Sequence, residues 1–440
     1  MEKITKITRS IKERLPIATI SGVFDDGTVL EMIFRPAAVE TAFVIWQKDS
    51  WRFENSFQAS NHDKLVPYSA HNNLIKNEVV LLPSQPEEYG NEEQLLAEIQ
   101  EFIHRYVDLS PLFEKVAAYY VLFSWIYDSF NELPYLRVRG DTGSGKTRFL
   151  LIVGSLCYKP IFASGASTVS PLFRILEAFR GTLIIDEGDF RLSDEKAEIV
   201  KILNNGNAKG FPVLRTESTD KREFNPVAYQ VFGPKLVATR GYFEDRALES
   251  RCITEELGHN RLRTDIPINL PSVYRKEALH LRNKLLLFRF RNLGKRQTTE
   301  SLVDRTIEPR LNQIFTPLLS IIDDPKARED LKELARFYNR DLIADRGLDM
   351  EAQILEVIRD LVVASANINI SIKEITSLFV DRHGEEYDKK ITAKWIGSIV
   401  RRKLQIKTQK SHGLFVIPPA ETAKLSRLYE KYGIIPEKEA

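Results

Sequence analysis

The sequence lacks the residues that build disulfide frameworks and zinc sites. Only two cysteines occur in 440 residues, Cys157 in an apolar stretch and Cys252 beside an arginine. The histidines, among them His104, His383 and His412, have neither the spacing of metal ligands nor a nucleophile beside them. We therefore expect no disulfide and no zinc site, and we expect the histidines to be surface or packing residues.

An excess of charge of one sign and long apolar runs are also missing. The chain has 63 lysines and arginines against 61 aspartates and glutamates, so any nucleic-acid surface must be local. No uninterrupted apolar stretch is long enough to span a bilayer, and the N-terminal MEKITKITRS has no apolar signal core. The composition predicts a cytoplasmic globular protein of about two to four domains.

A phosphate-binding pattern is present near the middle of the chain. Residues 140–147, GDTGSGKT, match G-x-x-x-x-G-K-[ST] at every position, between an apolar run at 135–138 and a helix pattern at 149–153. The glycines let backbone N–H groups turn inward around a polyphosphate, and the helix N-terminus favours negative charge. A glycine-rich turn without a ligand is the alternative for the pattern alone, but its setting favours a nucleotide site. The residues expected to bind ATP are Gly140, Asp141, Thr142, Gly143, Ser144, Gly145, Lys146 and Thr147.

A second pattern supplies carboxylates for the same site. Residues 181–187, GTLIIDE, form an apolar run typical of a buried parallel strand, with two acids at its carboxyl end. Lys146 is expected to reach the β- and γ-phosphates, and Thr147 and Asp186 to ligate Mg²⁺. Glu187 is expected to orient and deprotonate the attacking water. Alone, the acidic pair would be an ordinary strand end, but beside GDTGSGKT it indicates ATP hydrolysis.

The rest of the chain divides by its patterns. Residues 1–85 alternate like strands and predict a small β-rich N-terminal domain. Its Trp46, Trp51 and Phe53 are expected to be buried in the β core, with stacking on nucleic-acid bases as the alternative. Residues 86–134 have helical periodicity and form a connector. Residues 135–345 are expected to form an α/β P-loop core with a helical lid, which includes an amphipathic helix from Tyr274 to Asn292.

A polar hairpin is expected before the strand at 235–239. Residues 211–215 and 224–229 predict two short strands around the polar segment 217–222. In a ring of subunits, such a hairpin would carry cations toward a phosphate backbone in the central channel. A solvated surface hairpin is the alternative, and both remain open. The cations expected to contact DNA here are Lys209, Arg215, Lys221 and Arg222.

Together these segments resemble the AAA+ ATPases, within the helicase branch of superfamily 3 viral helicases, MCM proteins and primase-helicase ATPases of phages and mobile elements. The resemblance covers roughly residues 130 to 325 and depends on GDTGSGKT, TLIIDE, LNNGNAKG, GPKLVAT and ALESRC. It implies an AAA+ core, ATP and Mg²⁺ as cofactors, DNA as a partner, and a homo-oligomeric ring, a hexamer, with ATP between subunits.

The resemblance also implies roles for several polar residues. Thr239 matches the polar sensor at the end of the fourth strand, where asparagine is commoner, so a threonine would orient the water more weakly. Arg251 looks like the arginine finger that stabilises charge on a neighbouring subunit's γ-phosphate, with Arg246 as the competing candidate. Arg310 looks like the second sensor on the lid, and Arg305 is its alternative.

Residues 346–440 predict a C-terminal winged helix-turn-helix, because three helical patterns precede two short strands around 411–413. Between Lys389 and Lys410 the chain has basic residues without one acid. A winged helix that docks on protein is the alternative, but this charge favours nucleic acid. The residues expected to contact duplex or forked DNA are Lys394, Arg401, Arg402 and Lys410.

These expectations lead to one functional hypothesis and one rival. The first is a ring-forming, ATP-dependent DNA helicase or translocase in the replication of a plasmid, phage or mobile element. The rival is an AAA+ origin-binding initiator or helicase loader, which would bind duplex DNA and switch with ATP without unwinding. The hairpin before residue 235 favours the helicase.

Overall fold

The computed structural model describes residues 15–164, 167–186, 194–216, 225–258, 262–347, 349–365, 369–384, 387 and 391–434, with the backbone alone at 194–197 and 345–347. The chain divides into two compact units, Met1–Lys332 and Glu333–Ala440. The four-part division expected from the sequence stays a prediction. Every helix in the described ranges is too short or too polar to span a lipid bilayer.

The first unit begins with two small β-sheets. Their strands are β1 (Ile17–Thr19), β2 (Ser21–Val23), β3 (Val29–Arg35), β4 (Glu40–Gln47), β5 (Ser50–Glu54), β6 (Phe57–Gln58) and β7 (Lys64–Pro67), followed by the short helix α1 (Asn73–Lys76). Strands β2 to β5 pair in sequence as an antiparallel meander, and β1, β7 and β6 form the other sheet. The strand-like alternation of residues 1–85 thus corresponds to strands such as β3 and β4.

The three aromatic residues expected in this β core differ in burial. Trp46 is buried and stacks on Phe290, with ring centroids 5.5 Å apart. Trp51 and Phe53 lie on β5 and remain 40% and 38% exposed, so the expectation of burial is wrong for both. Strand β5 is the last in the order of its sheet, and its five residues are all exposed.

A five-stranded parallel sheet forms the centre of the first unit. In chain order, the elements are α2 (Glu92–Tyr106), α3 (Pro111–Trp125), β8 (Tyr135–Arg139), α4 (Lys146–Leu156), β9 (Ile161–Ser164), α5 (Val169–Phe179), β10 (Leu183–Asp186), α6 (Asp194–Asn205), β11 (Val213–Arg215), β12 (Val227–Tyr229), β13 (Lys235–Thr239), α7 (Arg246–Glu249), β14 (Cys252–Glu256), α8 (Tyr274–Asn292) and α9 (Pro309–Leu319). The strand order is β14, β8, β13, β10, β9, and each neighbouring pair is parallel. The carboxyl ends of β8, β10 and β13 therefore meet at one edge, where open parallel sheets bind ligands.

Basic side chains are buried within this sheet, which apolar strand patterns do not predict, and the most deeply buried are Arg137 and Lys235. Arg137 in β8 donates hydrogen bonds to both carboxylate oxygens of Glu249 on α7. Lys235 at the start of β13 donates to the carbonyl oxygens of Val231 and Gly233, at 2.9 and 2.8 Å. Both cations thus have partners, as the desolvation cost of buried charge requires.

A buried ionic network joins the N-terminal sheet to the core. Glu31 of β3 accepts hydrogen bonds from Tyr158 and from Arg289, each at 2.7 Å, and its second oxygen lies 3.1 Å from Lys159 Nζ. Arg289 on α8 also donates to both carboxylate oxygens of Asp128, at 2.9 and 2.7 Å. Helix α8 buries Arg282, Asn283 and Arg289 along with its leucines. The helix is therefore enclosed over most of its length, and the prediction of an amphipathic helix from Tyr274 to Asn292 is wrong.

The second unit packs helices on a small antiparallel sheet. Its elements are α10 (Pro325–Gly347), which contains the boundary between the units, α11 (Met350–Ser365), β15 (Ile370–Ser371), α12 (Ile372–His383), α13 (Ala393–Arg402), β16 (Gln409–Ser411), β17 (Leu414–Ile417) and α14 (Thr422–Lys431). Strand β17 lies between β15 and β16. Ser371 and Glu374 form a capping box at the start of α12. Apolar residues of α11, α12 and α13 form the core of this unit.

Candidate active site

The glycine-rich loop connects β8 to α4 at the carboxyl edge of the central sheet. Gly143 and Gly145 have φ angles of +85° and +97°, in the left-handed region that favours glycine. A Cβ atom at Gly140 would lie 2.4 Å from the carbonyl oxygen of Leu257, so a side chain does not fit there. The loop therefore has the backbone shape that allows N–H groups to face a polyphosphate.

Lys146 is the first residue of α4, and its ammonium group folds back onto the loop. Its Nζ donates to the carbonyl oxygens of Gly140 and Asp141, each at 2.6 Å. Neutral carbonyls compensate an ammonium ion less well than anionic oxygens do, because charge-assisted bonds to anions are stronger. The side chain is therefore placed to exchange these partners for phosphate oxygens.

Thr147 and Asp186, the two predicted metal ligands, lie together. Thr147 Oγ1 on the first turn of α4 donates to Asp186 Oδ2 at the end of β10, at 2.7 Å. Mg²⁺ in nucleotide sites takes one or two carboxylates together with phosphate oxygens and water. Within the described ranges, no group of three or more His, Cys, Asp or Glu side chains forms a metal site by itself. Glu187, the predicted base, lies outside the described residues.

Thr239, the predicted sensor, lies at the carboxyl end of β13 beside the loop. Its carbonyl oxygen accepts a hydrogen bond from the backbone N–H of Gly140 at 3.2 Å. Its side chain is 1% exposed, and among the described residues neither Thr239 Oγ1 nor Ser144 Oγ has a hydrogen-bond partner. A buried polar group without a partner costs about 1–3 kcal/mol. These two hydroxyls, the Lys146 ammonium and the Thr147–Asp186 pair fit a nucleotide with Mg²⁺.

Arg251 lies at the opposite edge of the sheet, directly before β14, and contacts its own chain. It is 8% exposed; its Nε donates to Asn207 Oδ1 at 2.8 Å, and its Nη1 donates to the Ala247 carbonyl. Burial lowers the pKa of this guanidinium. The expectation that Arg251 presents a free charge to a neighbouring copy is therefore corrected. Arg246, the competing candidate, is exposed as the first residue of α7.

Arg310 on α9 lies near Arg251. It donates to Gln313 Oε1 at 2.8 Å, and its charge adds to the effect of burial in lowering the pKa of Arg251. Arg251 is at the amino ends of the strands, whereas the glycine-rich loop is at their carboxyl ends, about 13 Å away along a strand. This position does not support contact between Arg310 and a γ-phosphate on the same chain. Arg305, its alternative, is exposed and pairs with Glu300.

Two of the predicted DNA contacts, Lys209 beside the β11–β12 hairpin and Arg215 in β11, bind groups of their own chain. Lys209 Nζ donates to the Asp128 carbonyl at 2.7 Å, and partial burial lowers its pKa. Arg215 forms an ion pair with Glu198, and its guanidinium carbon lies 4.0 Å from the centre of the Phe173 ring. Both charges are engaged, which weakens the expectation that they contact DNA.

The hairpin strands are shorter than expected, and their outward side is apolar. Val213–Arg215 pairs antiparallel with Val227–Tyr229, and the large exposed side chains are Phe211 and Leu214. Lys221 and Arg222, the other two predicted DNA contacts of this hairpin, lie outside the described residues. The part of the hairpin that the structure describes is therefore a short two-stranded base with exposed apolar side chains.

Tyr135 and Lys235, which the sequence analysis did not single out, and Arg251 hold the end of α6 and the residues just after it, from which the chain enters this hairpin. Three hydrogen bonds come from the amino ends of β8, β13 and β14: Tyr135 Oη to Leu203 O at 2.6 Å, Lys235 Nζ to Gly206 O at 3.4 Å, and Arg251 Nε to Asn207 Oδ1 at 2.8 Å. A Cβ atom at Gly206 would lie 2.3 Å from Lys235 Nζ. The available signal was a lysine at the start of the apolar run LVAT.

The second unit carries the remaining predicted DNA contacts. Lys394, Arg401 and Arg402 are exposed on α13, and Lys410 is exposed on β16. Lys394 and Arg401 are two helical turns apart and share one side of α13, whereas Arg402 is rotated away from them. The guanidinium carbon of Arg401 lies 5.6 Å from the centre of the Phe415 ring. Three of the four predicted cations thus lie on α13.

Neither a protein-family model nor a curated protein sequence matches this chain. The apo C-terminal region of NrS-1 is similar in structure at 12% identity and a TM-score of 0.36, over 88% of this chain and 96% of that one. A full-length MCM homolog from Methanopyrus kandleri is similar at 12% identity and a TM-score of 0.36, over 73% of this chain and 75% of that one. The JCV helicase is similar at 14% identity and a TM-score of 0.23, over 57% of this chain and 61% of that one.

Proposed function

We propose that the protein is an ATPase of the AAA+ type that acts on DNA. One observation carries the proposal, the meeting of Lys146, Thr147, Asp186 and Thr239 at the carboxyl edge of the sheet ordered β14, β8, β13, β10, β9. The first two belong to the glycine-rich loop and its helix, and the other two come from separate strands. An ordinary glycine-rich turn would not need these four side chains together.

The roles of these residues follow from their positions. Lys146 would bind the β- and γ-phosphates, and Thr147 and Asp186 would hold Mg²⁺, which when bound neutralises charge on the phosphate oxygens. The Thr239 hydroxyl would orient the attacking water. Glu187 would accept its proton, because it follows Asp186 directly at the strand end.

Hydrolysis of ATP by matched variants tests this proposal. Lys146→Ala is expected to abolish both ATP binding and hydrolysis, whereas Lys201→Ala, at an exposed lysine on α6, should leave them unchanged. Asp186→Asn should still bind ATP in an assay without Mg²⁺, but it should not hydrolyse ATP when Mg²⁺ is present. Wild-type hydrolysis by Lys146→Ala would refute the proposal.

We also propose that ATP lies between copies of the chain in a ring, a hexamer, with Arg246 as the arginine finger. The support is that Arg246 is exposed on α7, whereas Arg251 is only 8% exposed. Mixing Lys146→Ala with Arg246→Ala should restore hydrolysis that neither variant has alone, because each supplies the half that the other lacks. A mixture that stays inactive would refute a shared site.

Unwinding of DNA is the activity we propose first, and an initiator or helicase loader is the second candidate. The second is favoured by the engagement of Lys209 and Arg215 within their own chain. ATP-dependent displacement of a strand from a forked duplex, lost in Lys146→Ala and in the Lys221→Ala, Arg222→Ala double variant, would support the helicase. ATP-dependent binding of duplex without displacement would support the initiator. A role in plasmid, phage or mobile-element replication stays a prediction.

A further inference from the structure

A phenylalanine is exposed on the β16–β17 hairpin of the second unit. The two strands are joined by His412 and Gly413, whose φ angles of +47° and +83° make a tight turn. Phe415 on β17 is 53% exposed, whereas Ile417, two residues later on the same strand, is buried in the core. A single exposed apolar side chain is ordinary on a protein surface, so this exposure alone does not indicate a ligand. The groups around the ring decide what it can bind.

Cations surround this ring. Lys410 lies directly opposite Phe415 in the strand register, so both side chains are on the same side of the hairpin. The Arg401 guanidinium carbon is 5.6 Å from the ring centre, and a Cβ atom at Gly397 would lie 3.0 Å from Arg401 Nη1, so the glycine leaves room for this side chain. Lys394 lies two turns earlier on the same side of α13. We call Lys394, Arg401, Lys410 and Phe415 the wing face.

The positive charge of the wing face favours nucleic acid as its ligand. A surface that docks on protein usually has acidic and basic groups around an apolar centre, but residues 389–410 contain no acid. Cations can hold phosphates, and an exposed aromatic ring can stack on a base. Stacking within a continuous duplex would require the ring to unstack neighbouring base pairs, whereas an unpaired base offers a free face. The matching ligand is DNA with an unpaired base beside a duplex.

We propose that the wing face binds the junction between duplex and single-stranded DNA, with Phe415 stacked on the base at the junction and the three cations on flanking phosphates. This inference depends on the proposed function only in taking DNA as the ligand. Stacking one base on an aromatic side chain is worth about 1–3 kcal/mol, which corresponds to roughly 5- to 160-fold in Kd. The site would add preference for a fork over a blunt duplex without needing ATP.

Binding of the full chain to two labelled DNAs without nucleotide tests the proposal. One is a fork and the other a blunt duplex with the same number of phosphates, and fluorescence anisotropy gives both Kd values over a range of salt. Wild-type protein should prefer the fork. Phe415→Ala should weaken fork binding roughly 5- to 160-fold and leave duplex binding and the salt dependence unchanged. Arg401→Ala with Lys410→Ala should weaken both and reduce the salt slope by about two.

Two further variants separate stacking from packing. Leu414→Ala removes an exposed neighbour on the other side of the hairpin and should keep the fork preference. Phe415→Trp keeps an aromatic face and should keep the preference as well. Equal loss of fork and duplex binding in Phe415→Ala would overturn the proposal, and so would a wild-type protein without fork preference or one that binds a protein partner there and no DNA. Because nucleotide is absent, these results are independent of the Lys146→Ala test.

Discussion

Lys235 offers a direct test of how burial acts on charge in the central sheet. It is 0% exposed, and its Nζ donates to the carbonyls of Val231, Gly233 and Gly206. No carboxylate among the described residues pairs with it, and burial lowers its pKa to about 7 from the usual 10.5. The folded protein therefore releases this proton at a much lower pH than the unfolded chain does.

The sign of the effect follows from proton linkage. Between pH about 7 and 10.5 the unfolded state binds this proton more tightly than the folded state, so the free energy of unfolding rises with pH. Below this window both states are protonated and the penalty is constant. The limiting slope is about 1.4 kcal/mol per pH unit, so we expect a rise of about 2 kcal/mol between pH 7 and 9.

Lys235→Met removes the titrating group and keeps an unbranched side chain. Losing the bonds to the carbonyls of Val231 and Gly233 costs about 1–3 kcal/mol for each group left without a partner, but this cost does not depend on pH. The stability of the wild type minus that of the variant should therefore rise by about 2 kcal/mol from pH 7 to 9. Lys201→Met, at an exposed lysine on α6, should give a constant difference.

Urea unfolding at pH 7, 8 and 9, at constant ionic strength, measures these differences. Trp46, Trp51 and Trp125 lie in the first unit, and replacing Trp395 with phenylalanine in every variant removes the tryptophan signal of the second. A difference between wild type and Lys235→Met that stays flat from pH 7 to 9 would refute the reasoning, because the lysine would then keep its charge in the folded state.

Three other predictions concern the loop and the ionic network. Thr239→Val should lower the rate of ATP hydrolysis by about tenfold or more at unchanged KM. It should not lower the melting temperature, because the lost hydroxyl has no partner among the described residues. A lower melting temperature would mean that the hydroxyl is structural. Glu31→Gln should destabilise the protein by about 3–5 kcal/mol in urea unfolding, since Arg289 and Lys159 lose their shared anion. Glu40→Gln, in an exposed pair with Arg35, should cost at most about 1 kcal/mol, and equal costs would contradict the role of burial. Gly140→Ala should abolish ATP binding in a folded protein, because its Cβ would lie 2.4 Å from the Leu257 carbonyl; ATP binding equal to wild type in a titration would contradict this.

Much of the carboxyl edge of the sheet could be predicted from the sequence. The loop is a contiguous motif whose glycines fix the backbone locally, and β10 is a continuous apolar run, as a strand covered on both faces must be. Strands β8 and β10 both lie parallel to β13, one on each side of it. This arrangement brings Thr147, at the start of the helix after β8, close to Asp186 at the end of β10. Local patterns suffice here because the site is built from the ends of regular elements.

The contacts of long basic side chains could not be predicted in the same way. Arg289 meets Glu31 across 258 residues of sequence, and no local pattern indicates such a partner. The same limit applies to Arg251, because its position before β14 is local information, but the direction of its guanidinium depends on Asn207 after α6. The exposure of Trp51 and Phe53 could not be predicted either. An alternating pattern indicates that one side of a strand is buried, but it does not show whether anything packs over an edge strand.

Hydrogen bonds of Asp245 and Arg251 connect the segment around α7 to the end of α6. Asp245 caps α7 by accepting a hydrogen bond from the Ala247 N–H at 2.8 Å, and its second oxygen accepts one from Asn204 Nδ2 at 2.5 Å. The segment that contains α7 is therefore bonded twice to the end of α6 and the residues just after it, through Asp245 to Asn204 and through Arg251 to Asn207. Because the chain runs from there into the β11–β12 hairpin, Arg251 ties the base of that hairpin to α7 within its own chain. Such a position argues against Arg251 as an arginine finger.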